Sequence, residues 1–175
     1  MRIIKTKFKD LYILQTKTYK DKRGYFKEIL KESLLKKKFP FIVMSKSKKN
    51  ILRGLHVQMK NQQGKFISVL KGKVFDVALD LRPKSKTFGK FFSITLSEKN
   101  STSIFIPPGF AHGFYTLEKD NYILYSCTNY RHANSEVSIK WNDKKLKINW
   151  PCKRPVISNK DKNSISFDYY IKNYI

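Results

Sequence analysis

The sequence predicts an all-β protein, a jelly-roll barrel with short peripheral helices, on three observations. Short apolar or alternating runs recur along the chain, Gly and Pro punctuate most of them, and no amphipathic helical segment separates them between residues 41 and 128. A chain of 175 residues has room for one real core, and it should bury roughly 70% of the surface its unfolded form exposes.

Taken in order, Leu11–Thr16 is the first run and Gly24–Glu28 a second, short strand. Ile29–Lys38 is the one good helical pattern, ending before Pro40. Phe41–Ser45, Lys65–Leu70, Val74–Leu81, Phe91–Leu96, Ser103–Ile106, Phe110–Leu117 and Tyr122–Thr128 then read as strands, with turn signals at Gly64, Gly72, Pro83, Gly89, Pro107 and Gly109. On Leu52–Val57, strict alternation puts Arg53, Leu55 and Val57 on one face and Leu52, Gly54 and His56 on the other, where Gly54 leaves His56 room. From Asn149 onward the chain turns polar and Pro-marked, ending in the aromatic Phe167-Asp168-Tyr169-Tyr170, which reads as a tail packed on the barrel. No repeat or low-complexity linker divides residues 1–175, so one domain is expected.

A net charge of +24 raises a nucleic-acid reading. Only six basic residues are Arg, however (Arg2, Arg23, Arg53, Arg82, Arg131, Arg154), and the lysines are scattered from Lys5 to Lys172. The longest run, Lys36 to Lys38, reads as a solvated helix face. The field still favours an anionic substrate. Cys127 lies in an apolar strand pattern and reads as an ordinary reduced core residue. Met1–Asp10 lacks the apolar stretch of a signal peptide and no segment approaches the roughly 18 apolar residues of a span, so a soluble cytoplasmic protein, bound to neither membrane nor nucleic acid, is expected.

Of three histidines, His56 and His112 sit in Gly-flanked contexts, Arg53-Gly54-Leu55-His56 and Gly109-Phe110-Ala111-His112-Gly113. A metal site would need a second ligand two residues from His56 on its face, and that position is Gln58, so no metal is expected. His132 follows Arg131 in a loop and reads as exposed.

Ser45-Lys46-Ser47 through Leu52-Arg53-Gly54-Leu55-His56, Gln63-Gly64-Lys65, Gly72 through Asp80-Leu81-Arg82, Thr87-Phe88-Gly89 and Ile106-Pro107-Pro108-Gly109-Phe110-Ala111-His112-Gly113-Phe114 resemble the dTDP-4-dehydrorhamnose 3,5-epimerase family in content, order and spacing. Asp21-Lys22-Arg23-Gly24 and Ser158-Asn159-Lys160-Asp161 extend the resemblance over nearly the whole chain. It implies a cupin-type jelly-roll homodimer acting on a nucleotide-diphosphate-linked 4-keto-6-deoxy sugar with no metal or organic cofactor. It also implies His56 as base, Asp161 as its partner, Lys65 near the enolate oxygen and Tyr125 as the acid on the opposite face. His112 is implied as a second site histidine, Arg53 and Arg23 as diphosphate contacts with Arg23 from the neighbouring subunit, and Phe26 and Glu28 as residues near the nucleotide.

The chain departs from the family at Phe41 and Val43, where Gln and Asn are usual, and at Arg131, where a tyrosine is usual. These changes point to a different sugar or nucleotide, such as a GDP-linked hexose or heptose, or to inversion at one carbon. The competing readings are a 3-epimerase or 3,4-ketoisomerase on the same barrel and, remotely, a non-catalytic cupin binding an anionic partner.

Overall fold

A computed structural model describes residues 1–175. Its strands are β1 (Arg2–Lys5), β2 (Tyr12–Gln15), β3 (Thr18–Asp21), β4 (Gly24–Lys27), β5 (Phe41–Lys48), β6 (Leu52–Gln58), β7 (Lys65–Lys71), β8 (Lys73–Asp80), β9 (Phe91–Ser97), β10 (Thr102–Ile106), β11 (Phe110–Thr116), β12 (Asp120–Cys127) and β13 (Glu136–Ser138). The helices are α1 (Glu32–Leu35), α2 (Asn159–Lys162) and α3 (Phe167–Tyr174). A six-stranded sheet, β1-β2-β10-β7-β12-β5, faces a five-stranded sheet, β13-β6-β11-β8-β9, and β3 pairs with β4 in a separate hairpin. Between β5 and β12 almost every connection crosses from one sheet to the other, the jelly-roll path of the cupin-type barrel.

The central strands are apolar on both faces because both faces are covered. Ile67, Val69, Val74, Ala78, Ile104 and Phe114 fill the space between the sheets. Their strand neighbours Val77, Leu79, Ala111 and Tyr115 point outward and are roofed by Ile139, Leu146, Trp150, Phe167 and Tyr170. The C-terminal segment therefore packs on the barrel as expected. On the other outer face, Phe66 and Phe105 lie beneath Leu35 and Phe39.

That last contact explains where the helix expected over Ile29–Lys38 went. Only the four residues of α1 are helical. Lys31 supplies no side-chain cap, and Lys36 turns left-handed at φ 51°, ending the helix after one turn. Ile29, Leu30, Leu35 and Phe39 instead wrap individually onto the sheet. Lys36 to Lys38 are exposed, as expected, but they follow the helix rather than forming its face. β1, β3 and β13 lie outside the strands expected from the sequence. No helix is long and apolar enough to cross a membrane.

Candidate active site

A cavity of about 670 Å³ lies between the two sheets, walled by residues of β5, β6, β7, β11 and β12 and closed on one side by α2. β6 does not alternate as its sequence suggests. His56 stands opposite His112, yet Arg53 stands opposite Phe114, so β6 spends three steps where β11 spends two. This β-bulge resets the facing of the strand. Leu52 joins Leu55 and Val57 beneath the C-terminal segment, while Arg53 and His56 both line the cavity. The expectation that Arg53 and His56 face opposite ways is thereby corrected. Gly54 is required there: its φ is +111°, and a Cβ would come within 2.6 Å of both the Gly113 Cα and the His112 carbonyl oxygen.

His56 Nε2 lies 2.6 Å from Asp161 Oδ1. Asp161 is only 4% exposed. Burial acts to raise its carboxyl, but the His56 and Ser158 hydrogen bonds and the Gly54 N–H hold it below the usual carboxylate range. Across the cavity, on the opposite sheet, Tyr125 has its phenol oxygen 3.0 Å from Ser45 Oγ. Burial pushes that phenol well above its ordinary value. Lys65, directly opposite Cys127 in the β7–β12 ladder, lines the same wall and enters no ion pair. Burial lowers its pKa. Cys127 is buried and unpaired, as expected, but it lines the cavity as well.

His112 also lines the cavity, and its Nε2 lies 2.8 Å from Oδ2 of Asp76, which is 1% exposed. The other Asp76 oxygen has no partner. Asp76 was missed as a site residue, although a carboxylate centred in the apolar run Val74–Leu79 is a visible anomaly, since a buried acid needs a partner.

At one edge Arg131 Nη2 and Lys160 Nζ both donate to Glu136 Oε2, at 2.8 and 2.6 Å. Burial opposes ionisation of Glu136, yet the two cations bring it down to about 2. Glu136 and Lys160 carried no signal by themselves. Phe41 and Val43 line the cavity with Arg131, so all three departures sit on its wall, and the Phe41 ring centroid lies 5.9 Å from that of Tyr130. His132 is half-buried rather than exposed, its Nδ1 being 3.0 Å from Ser135 Oγ in a short 3₁₀ turn. No group of three His, Cys, Asp or Glu side chains could share a metal ion.

Arg23, Phe26 and Glu28 are exposed on or beside the β3–β4 hairpin and do not line this cavity. Arg23 pairs with Asp21 at 2.6 Å.

Residues 5–168 match the family model described as dTDP-4-dehydrorhamnose 3,5-epimerase. The chain is 46% identical over 169 residues to the dTDP-4-dehydrorhamnose 3,5-epimerase of Salmonella typhimurium, covering 92% of each protein. It superposes with TM-score 0.89 and 44% identity, over 93% of this chain and 90% of the other, on the dTDP-6-deoxy-D-glucose-3,5-epimerase of Legionella pneumophila in complex with dTDP-4-keto-L-rhamnose. The Elizabethkingia anophelis dTDP-4-dehydrorhamnose 3,5-epimerase gives TM-score 0.90 at 40% identity over 99% of both chains. Matched by the family model over residues 5–168 and by these relatives at 40% identity or more over at least 92% of its length, the chain belongs to the dTDP-4-dehydrorhamnose 3,5-epimerase family.

Proposed function

We propose that this isomerase inverts C3, C5 or both of a nucleotide-diphosphate-linked 4-keto-6-deoxy sugar by proton transfer through an enolate. The observation that carries the reading is a carboxylate-anchored imidazole on one sheet and a half-buried phenol on the other, both lining one cavity. With Nε2 held by Asp161, Nδ1 is the His56 nitrogen left to take the proton next to the ketone. The C–H electron pair moves toward the C4 carbonyl, and Lys65, a cation without a carboxylate partner, offsets the charge on the oxygen. Tyr125, kept neutral by burial, returns a proton from the opposite side. Solvent then takes the proton from His56 and restores that of Tyr125, so the reaction is redox-neutral. A base and an acid on opposing walls suit inversion, whereas a 3,4-ketoisomerase would pass the proton along one face.

His112 and Arg53 are proposed as substrate contacts, with Arg53 directed at the diphosphate, where a guanidinium fork fits. The Legionella relative's dTDP-linked ligand favours dTDP. Phe41, Val43 and Arg131 are the positions where this chain would distinguish a different sugar or a GDP-linked donor. We place Arg23, Phe26 and Glu28 in the cavity of a second copy, because their hairpin stands away from its own cavity with Tyr25 and Phe26 56% and 68% exposed. Unpaired cysteines suit a reducing, cytoplasmic setting.

The test is deuterium uptake from D2O with dTDP- and GDP-linked 4-keto-6-deoxy sugars, read by mass spectrometry and proton NMR, with sedimentation of the same sample to weigh the dimer. Uptake at C3 and C5 is expected. Uptake at one carbon would narrow the activity to a mono-epimerase, and no uptake on any donor would overturn the reading.

A further inference from the structure

Asp161 reaches His56 from α2, a helix of one turn, and so short a helix has little stability of its own. Local bonds hold it in place. The Asp161 N–H donates to Ser158 Oγ at 3.1 Å, and the Ser158 hydroxyl donates to Asp161 Oδ2 at 2.8 Å. Lys160, the preceding residue, ties the same turn to Glu136 at 2.6 Å, on the strand whose Ser138 stands opposite His56. The carboxylate divides its side-chain partners, Oδ1 meeting the imidazole and Oδ2 the serine, with the Gly54 N–H as a backbone donor from β6. One hydroxyl therefore grips Asp161 at both its backbone and its side chain.

We propose that Ser158 is a positioning residue for proton transfer, locking the Asp161 carboxylate so that Oδ1 stays on His56 Nε2 and Nδ1 stays free for the substrate. The proposal rests on the reading of His56 as the base. Loss of the hydroxyl leaves Oδ2 a nearly buried acceptor without its donor, and the carboxylate then gains by turning about its side-chain torsion, away from the imidazole. Nothing else within the turn supplies that donor: Lys160 points to Glu136.

The experiment compares Ser158→Ala, Ser158→Thr, Asp161→Asn and the Ser158→Ala/Asp161→Asn double variant by deuterium exchange at saturating and limiting substrate, with thermal melts to establish that each is folded. Ser158→Ala should slow exchange roughly 10- to 100-fold at saturation, the scale of one hydrogen bond to a charged group, with KM changed less than about twofold. Ser158→Thr, which keeps the hydroxyl, should recover most of the rate. Because Ser158 acts through Asp161, adding Ser158→Ala to Asp161→Asn should cost less than about twofold more. Full additivity in the double variant, or a Ser158→Ala defect confined to KM, would overturn the proposal. So would a wild-type rate in Ser158→Ala beside an impaired Asp161→Asn, which would leave the His56–Asp161 pair standing. A wild-type rate in Asp161→Asn would instead sink the pair's assignment itself.

Discussion

Asp80 and Asp161 are both buried carboxylates that hold a basic side chain, and they serve opposite ends. Asp80, at the end of β8, accepts from the Arg82 N–H, Nε and Nη2 and from the Ser85 and Thr87 hydroxyls, at 2.6 to 3.1 Å. Every donor to Asp80 comes from its own loop, and the Arg82 guanidinium also donates to the Lys9 carbonyl at 3.0 Å and lies 4.6 Å from the Phe110 ring centroid, so the network's partners all lie within the protein. Asp161 instead anchors a histidine whose other face meets the cavity, within a site where Lys65 has no counter-ion and Asp76 keeps a bare oxygen. The same carboxylate chemistry stabilises a loop when all its partners are internal, and leaves a valence turned to the cavity when its partner is the His56 imidazole, as the proposed function requires.

The contrast can be broken most sharply at His56. His56→Ala should lower deuterium exchange at both carbons by about 10³-fold, with a smaller fall in melting temperature than a fully buried network would give, because Asp161 keeps its Ser158 donor. Tyr125→Phe should impair turnover less and leave partial exchange. Asp80→Ala should do the reverse. Removing one partner of a buried pair costs about 3 kcal/mol, or roughly 6–12 °C in Tm for a chain of this size, while exchange per folded molecule stays at the wild-type level. Comparable exchange losses in both would erase the distinction.

Lys65→Met tests whether the open site is held at a cost to the fold. Burial lowers the Lys65 pKa, so its ammonium destabilises the folded state at neutral pH, and that penalty is relieved only as pH rises through the folded value toward 10.5. Replacing it should raise stability by about 1 kcal/mol while slowing exchange by one to two orders of magnitude. In the wild type, the alkaline fall of activity should lie below the ordinary lysine range, because the charged form is lost there.

The smallest effect belongs to Glu136. Its folded pKa of about 2 lies under the ordinary glutamate value of 4.5, so its contribution to stability is full above pH 4.5 and disappears as pH falls toward 2. Glu136→Gln should therefore melt below the wild type at pH 7, with the gap closing across that acid window. A gap that persisted at pH 2 would assign the effect to packing instead.

Much of this is legible in the amino-acid sequence. Strand after strand appears where alternation and Gly or Pro punctuation put it, because a two-residue period and a turn are local properties of the chain. His56, His112, Lys65, Tyr125, Asp161 and Arg131 all come to one cavity. Ile29–Lys38 misled because apolar spacing is shared by a helix stripe and by a segment draped over a sheet, and only the Phe66 and Phe105 surface selects between them. Asp76 and Glu136 went unassigned for a related reason: each acts through a partner 24 to 36 positions away, at distances no spacing rule encodes, whereas Ser158, three residues before Asp161, stood at the helix-capping spacing and was a readable signal.

The sequence by itself determined the β architecture and the apolar strands, since these depend on residue type and short-range period, whereas the side chains proposed to handle protons were singled out by the resemblance to the family. The tertiary structure alone decided which way they point. One extra residue in β6 opposite β11 turned Arg53 into the cavity beside His56. Such a bulge exists only when two strands are paired, because it is a mismatch between ladders rather than a property of either strand.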